Sequence, residues 1–310
     1  MTSTTRREGD FAAPAGLTLA AALRAEMPER SWSQVRRLCA AGKVTVDGEP
    51  ASEPARRLIG GERVAWSLQR PDPRRALPLG FRIVYEDGHL LVVEKPEGIA
   101  TVPYERRETG TALDLIRDAW RLQGRKATVT PLYIVHRIDK DTSGLVCFAK
   151  TKLAERGLHH IFKQHLAERV YLAVAQGHLS SGCIASRLIP NRGDGLRGSA
   201  RHFAGGQHAV THVEVVEHWR AATLCRVRLQ TGRTHQIRIH LAEQGHPLVG
   251  ETVYIRDLVR AGGKPLACPR LLLHAATLGF DHPVNGRHLH FASELPPDFA
   301  AEVTRLRGQA

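Results

Sequence analysis

The stretch His136-Arg137-Ile138-Asp139-Lys140-Asp141-Thr142-Ser143-Gly144-Leu145 is the densest run of chemically capable side chains in the chain. Apolar segments flank it, Leu132-Tyr133-Ile134-Val135 before and Leu145-Val146-Cys147-Phe148-Ala149 after. Two short apolar runs around a polar turn predict buried strands or strand ends that present a loop and fix where its side chains point. Asp139, between Arg137 and Lys140, is then a candidate site carboxylate as well as a candidate solvated ion pair, since charges in such settings mark functional sites only statistically. A second dense run, Thr231-Gly232-Arg233-Thr234-His235-Gln236-Ile237-Arg238-Ile239-His240, opens at a glycine turn and continues into apolar Ile237, Ile239 and Leu241. Between the two lies the strand-like segment Arg169-Val170-Tyr171-Leu172-Ala173-Val174, which offers the phenol of Tyr171.

Chain-wide properties limit what these groups can act on. At 310 residues and 42% hydrophobic content the chain can build one large domain and a small one. No apolar run approaches the ~20 residues that span a bilayer, so no membrane association is expected. Met1 to Asp10 is polar, with no apolar signal segment behind it. The five cysteines are widely spaced with no Cys-x-x-Cys pair, which suggests neither a zinc site nor a disulfide framework and fits a reducing cytoplasm. The net charge of +13 favours a polyanionic partner such as nucleic acid. Residues 181 to 240 concentrate it, with nine Arg, no Lys and three acids.

The elements that must position the site read off in order. Residues 1–15 are polar, then Ala/Pro-rich, and are expected to be disordered. Residues 16–69 form a small module. Leu19, Leu23, Val35 and Leu38 recur at helical spacing in two segments separated by Pro28, the second capped by Ser31 or Ser33 and ended by Gly42. Val44-Thr45-Val46 then runs into the hairpin turn Asp47-Gly48, and Arg63 to Leu68 supplies a closing strand. Arg70 to Pro78, with three Pro and three Arg, reads as a stiff exposed linker, so 70–79 is assigned as linker and 80–305 as a second domain. There, Ile83–Tyr85 and Leu90–Glu94 are strands, Thr111 to Leu122 and Ala154 to His165 amphipathic helices, and residues 191 to 209 an exposed Gly/Arg/Ser-rich loop. Val213–Val216 and Leu224–Leu229 are further strands, and Leu271–Ala275 and Leu278–Pro283 add core.

Two resemblances follow from these motifs. Ser31-Trp32-Ser33-Gln34-Val35-Arg36-Arg37-Leu38, Ala41-Gly42-Lys43-Val44-Thr45-Val46-Asp47-Gly48 and Gly60-Gly61-Glu62-Arg63-Val64 resemble the αL-type RNA-binding module of a small-subunit ribosomal protein and many RNA-modifying enzymes. It departs from that pattern in having Trp32 where Arg is common and Glu62 where Asp is common. From Phe81 to Phe299 the chain resembles the RluA-type pseudouridine synthases. The resemblance is carried by Leu91–Gly98, His136–Asp139 with Thr142–Leu145, Arg169–Ala173, Gly232–His240 and Leu273-His274-Ala275 in family order. It implies an α+β fold: a mixed, mainly antiparallel β-sheet catalytic domain with flanking helices, plus the small N-terminal α/β-hairpin module.

The implied reaction is isomerisation of uridine in structured RNA, ribosomal or transfer, to pseudouridine. The N-glycosidic bond breaks, the uracil turns, and C5 rejoins the sugar. No cofactor or metal is implied, and a monomer is expected. By resemblance Asp139 is the essential carboxylate, either attacking the sugar or removing a sugar proton. Arg233 matches the ion-pair partner that keeps it charged, and Tyr171 stacks on the uracil with its hydroxyl near C5. Arg137 fills the space of the extruded base. Thr142, Ser143, His235, Gln236 and Arg238 support the site. His136, Arg36, Arg37, Lys43, Arg192, Arg197 and Arg201 are the expected RNA contacts. Two other readings remain. One is a non-catalytic RNA-binding protein on this fold. The other is a magnesium-dependent phosphotransferase using Asp139 and Asp141, which lacks the later acidic pair such an enzyme needs.

Overall fold

The computed structural model describes residues 7–68, 77–104, 108–125, 130–200 and 205–308. The chain divides into two units between Leu77 and Pro78; most of the expected linker lies outside the described residues. The first unit contains β1 (Glu8–Ala12), α1 (Leu19–Glu26), α2 (Trp32–Ala40), β2 (Val44–Val46), β3 (Glu49–Pro50) and β4 (Arg63–Ser67). Ser31, not Ser33, caps α2. Its hydroxyl accepts from Gln34 N at 3.3 Å and Gln34 Oε1 accepts from Ser31 N at 2.7 Å, a reciprocal box that satisfies two otherwise orphaned donors. Gly42, at φ +65°, lets Lys43 N reach back to Leu38 O at 3.0 Å and close the helix. Asp47 and Gly48 both take positive φ, as a two-residue hairpin requires. Leu19, Leu23, Val35, Cys39, Val44, Val64 and Trp66 make the core of this unit.

One expectation fails here. Glu8–Ala12 is not disordered: it pairs antiparallel with β4, from Glu8↔Ser67 to Ala12↔Arg63. Phe11 packs on the core, and Arg63 reaches Asp10 at 2.9 Å. Backbone pairing to a strand more than fifty residues away supplies what the polar composition of the segment concealed.

The second unit runs β5 (Arg82–Glu86), β6 (Leu90–Lys95), α3 (Ala112–Leu122), β7 (Tyr133–Ile134), β8 (Ser143–Ala149), α4 (Lys152–Lys163), β9 (Glu168–Gln176), β10 (Gly182–Ile189), β11 (Gly198–Ser199), β12 (Gln207–His218), β13 (Ala222–Leu229), α5 (Gln236–Glu243), α6 (Arg256–Arg260), β14 (Leu273–Asp281), β15 (His288–Ala292) and α7 (Pro297–Arg307). Its eleven strands form one sheet in the order β11-β10-β12-β13-β9-β14-β8-β6-β5, with β15 on β14 and β7 on β8. All pairs are antiparallel except β8 with β14. This is the mixed, mainly antiparallel α+β architecture expected. Residues 191 to 209 are not wholly loop, since they include β11 and the start of β12. No helix among the described residues is long and apolar enough to cross a membrane.

Strand β14 organises the site. It lies between β8, which receives the Asp139 loop, and β9, which carries Tyr171. Ala275 is in register with both Gly144 and Tyr171. The close approach demands a glycine: at Gly144, φ is +117° and a Cβ would lie 2.3 Å from Ala275 O. Gly144→Ala therefore combines strained backbone with overpacking and is expected to cost about 3 kcal/mol. A lowered urea midpoint at unchanged m-value checks this.

Candidate active site

A cavity of about 800 Å³ opens in the second unit, within the range that holds small-molecule ligands. Its walls include Arg137, Asp139, Thr142, Arg169, Tyr171, Arg233 and Arg238. Sequence-distant segments thus converge: the loop before β8, the strand β9, and the turn leading into α5. Asp139 keeps its side chain 17% exposed, accessible to a ligand without being surrounded by water. The turn closes by Thr142 N donating to Asp139 O at 3.1 Å.

Of the two arginines in this run, Arg238 rather than Arg233 makes the ion pairs. Arg233 Nε donates to His208 O at 3.0 Å, and no carboxylate lies within ion-pair distance of it among the described residues. Arg238 is 3% exposed and lies inside because α5 is buried from Gln236 to Leu241. Its guanidinium makes a bidentate pair with Glu251, Nε and Nη2 each at 2.7 Å, and Nη1 stands 3.7 Å from Asp141. Burial works against its charge. The hydrogen-bonded Glu251 and the charges of Glu251, Asp139 and Asp141 outweigh burial and hold it further protonated. Glu251 is itself fixed by backbone N–H groups of Thr252, Val253 and Tyr254 at 2.9 to 3.3 Å. Arg233 is the arginine that the resemblance assigns as ion-pair partner, and both arginines occur in one short run. Only the helical path of that run decides which one turns inward.

His235 begins α5 in the left-handed conformation, φ +58°. Its Nδ1 is 2.7 Å from Tyr254 Oη and its Nε2 is 3.9 Å from Asp139 Oδ1. Burial lowers its pKa, against the pull of Asp139, and so favours the neutral ring. With Tyr254 donating to Nδ1, the Nε2–H faces Asp139. Gln236 is a fully used bracket. Its Oε1 accepts from Thr231 Oγ1 at 2.8 Å and Arg233 N at 3.0 Å, and its Nε2 donates to Val210 O and Thr211 Oγ1, both at 2.9 Å. It ties the start of α5 to β12.

Tyr171 is buried on β9, and burial pushes its pKa up to about 12, partly opposed by Arg169 and reinforced by Asp139. The phenol therefore keeps its proton at neutral pH, and its surroundings do not prepare it as a base. His136 lines the cavity with its ring held from behind. Its Nε2 accepts from Cys147 N at 2.8 Å and its ring stacks on Phe162 at 4.3 Å. Burial, then Arg169, lowers its pKa to about 3. These contacts make it a brace for the loop that carries Asp139. Ser143 also supports from behind, bonded to Arg270 Nη2 at 2.8 Å and His274 Nδ1 at 2.9 Å. Thr142 Oγ1 is buried with no hydrogen-bond partner among the described residues.

The other expected RNA contacts divide. Arg36 and Arg37 are exposed on α2, Lys43 is half-buried, and Arg137 and Arg197 are exposed. Arg192 is instead an internal clamp, neutralised by Asp194 at 3.1 Å and Asp257 at 2.7 Å. Arg201 lies outside the described residues. Sequence reading missed two buried cations. Arg169 lines the cavity, giving two backbone carbonyls Nη2 contacts while its Nε finds none. Lys95, at the end of β6 and 0% exposed, donates to Pro96 O at 2.9 Å and to Lys140 O, in the Asp139 loop, at 3.1 Å. No cluster of three or more His, Cys, Asp or Glu among the described residues is arranged to hold a metal ion.

Comparison with known proteins agrees with this geometry. Residues 89–243 match the RNA pseudouridylate synthase family and residues 19–64 match the S4 domain. The chain is 33% identical over 296 residues to the ribosomal large subunit pseudouridine synthase D of Vibrio parahaemolyticus, covering 89% of this chain and 87% of that protein. To the protein of the same name from Neisseria meningitidis it is 35% identical over 307 residues, covering 96% and 80%. The fold is similar to that of the human RNA pseudouridylate synthase domain containing 4, with TM-score 0.56 and 24% identity over 76% of this chain and 95% of that one.

Lys95 gives the site a pH signature. Burial lowers its pKa to about 7, although Asp139, Asp141 and Glu97 pull upward. An unfolded lysine titrates near ~10.4, so between pH 7 and that value the unfolded chain binds more protons than the folded one. Stability from this group must then rise with pH across the window, by about 2 kcal/mol from pH 7 to 9. Lys95→Met is expected to remove that slope, which urea unfolding at a series of pH values checks.

Proposed function

Because the chain belongs to the RNA pseudouridylate synthase family and carries an S4 domain in its N-terminal unit, we propose that its substrate is a uridine in large-subunit ribosomal RNA, worked on by Asp139 beneath a charge held by Arg238. The chain is an isomerase that converts uridine in RNA to pseudouridine. Homology to relatives named for the large ribosomal subunit over nearly their whole length supports that RNA over transfer RNA.

The observation that carries the assignment of roles is the single acid of the cavity. Among the described residues Asp139 is the only carboxylate lining it, and Arg137, Lys163, Arg169, Arg233 and Arg238 line it too. A stacked uridine must be extruded before its sugar reaches Asp139, at a cost of a few kcal/mol. Arg137 has no partner among the described residues and lies at the cavity wall, free to occupy the vacated stack, where a guanidinium can stack and hydrogen-bond together. The Tyr171 ring offers a flat apolar face to the uracil. Thr142 Oγ1 is left to bond the bound nucleotide, which would satisfy a buried hydroxyl that the protein itself does not.

Arg238 performs the electrostatic work. Its charge is fixed from behind by Glu251 and directed at the loop bearing Asp139 and Asp141. Its fixed positive charge is placed to stabilise negative charge at the reacting centre, whether Asp139 attacks C1′ or removes a sugar proton. With its phenol protonated, Tyr171 acts by packing and as a hydrogen-bond donor. Removal of the C5 proton then falls to Asp139 once it is released, or to water.

Asp139→Asn is expected to abolish pseudouridine formation while RNA binding persists, read by mapping pseudouridine in a large-subunit ribosomal RNA transcript alongside filter binding. Undiminished product would refute the assignment. The two arginines separate in single-turnover kinetics. Arg238→Lys keeps the charge but loses the fork and is expected to slow the chemical step roughly a hundredfold. Arg233→Ala is expected to weaken RNA binding and leave the step at saturation within about threefold. The reverse pattern would return Arg233 to the ion-pair role.

A further inference from the structure

The chain has four tryptophans, and three are interior: Trp66 is 3% exposed, Trp120 0% and Trp219 2%. Trp32 is 49% exposed. It is the first residue of α2, whose inward stripe is Val35 and Cys39, with Leu38 packed on the same core. At 3.6 residues per turn Trp32 falls on the flank of that stripe, and Arg36 follows one turn later on the same flank. Arg37 is exposed further round the helix. The segment Trp32–Ala40 contains no acid.

A large flat ring half in water, one helical turn from an exposed arginine, is poorly used by folding. It is well suited to a ligand that is itself flat and anionic. Indole and guanidinium planes both stack on nucleobases, and arginine adds a phosphate contact. A base inside an A-form duplex hides its face, so such a pair selects an unpaired one. An apolar protein pocket fits less well, because closing it over Trp32 would also strip water from Arg36. We propose that Trp32 and Arg36 form a stacking platform for an unpaired base of the RNA, with Arg37 holding the neighbouring phosphate. The platform lies in the N-terminal unit, and the reacting uridine is held by the second. It rests on the reading of the chain as an enzyme of structured RNA and adds to it a preference for a loop or bulge.

Trp32 reports on its own occupancy, since its emission is the one accessible to solvent quenchers. The probes are an RNA hairpin with an adenosine-rich loop and a blunt RNA duplex of equal phosphate number, each added to the full chain. The hairpin is expected to quench tryptophan emission and the duplex is not. Trp32→Ala should bind the hairpin about tenfold more weakly, with duplex affinity unchanged. Trp32→Phe guards against a misfolded module: it should lose the quench yet bind the hairpin within about threefold of the native chain. Equal quenching by hairpin and duplex, or hairpin affinity unaltered in Trp32→Ala, overturns the platform. So does self-association of the native chain that Trp32→Ala abolishes, which would assign this face to protein. Pseudouridine formation is scored separately on the native preparation. Product without quench removes the platform and leaves the isomerase standing; quench without product does the reverse.

Discussion

The buried Arg238–Glu251 pair is the interaction on which the site depends. Taking both charges out of water costs several kcal/mol per ion, which only good geometry and further hydrogen bonds offset. Here the geometry is two parallel 2.7 Å contacts, and the remaining acceptor capacity of Glu251 is taken by three backbone amides. The pair fixes a positive charge beneath Asp141 and in the field of Asp139 without leaving it free to migrate toward RNA phosphates. Elements around it are arranged to keep that orientation. Gln236 pins the start of α5 to β12, and His235 turns the chain into the helix through a left-handed residue.

Much of the frame was legible because local chemistry and tertiary role agree. Asp47-Gly48 needs positive φ and gets it. Strands β6 and β8 are buried on both faces and carry unbroken apolar runs, Leu90–Val93 and Leu145–Ala149. Asp139 and Tyr171 were found from the density of polar groups against such runs. What escaped notice was set by distance along the chain. Strand β1 exists through its partner β4, and β10 alternates exposed and half-buried residues that carry little apolar signal. Arg233 and Arg238 differ by five positions, and no property of either side chain says which one a helix will turn inward. Glu251, the reason Arg238 is tolerated inside, lies thirteen residues further on. Lys95 gave no sign, because a lysine before a proline usually marks the exposed end of a strand.

The cavity is electrostatically lopsided. Five cationic side chains and one acid line it, and the protein as a whole carries +13. Such a field draws RNA in from solution and concentrates it at the mouth. It also explains why the arginines had to be sorted by their partners. Arg192 is spent on Asp194 and Asp257, and Arg238 on Glu251, whereas Arg137 and Arg233 keep no acid for themselves among the described residues.

Strand β14 is among the last segments of the chain, yet it occupies the middle of the sheet. Until residues 273–281 are available, the β5–β6–β8 portion and the β9–β13 portion each end in an open edge, and nothing joins the Asp139 loop to Tyr171. During folding two adhesive half-sheets therefore stay apart until residues 273–281 slot between them, a long-range closure that is slow by topology. The site is inert until that strand is seated, and the chain's greatest hazard is pairing with a neighbour's edge before its own keystone arrives.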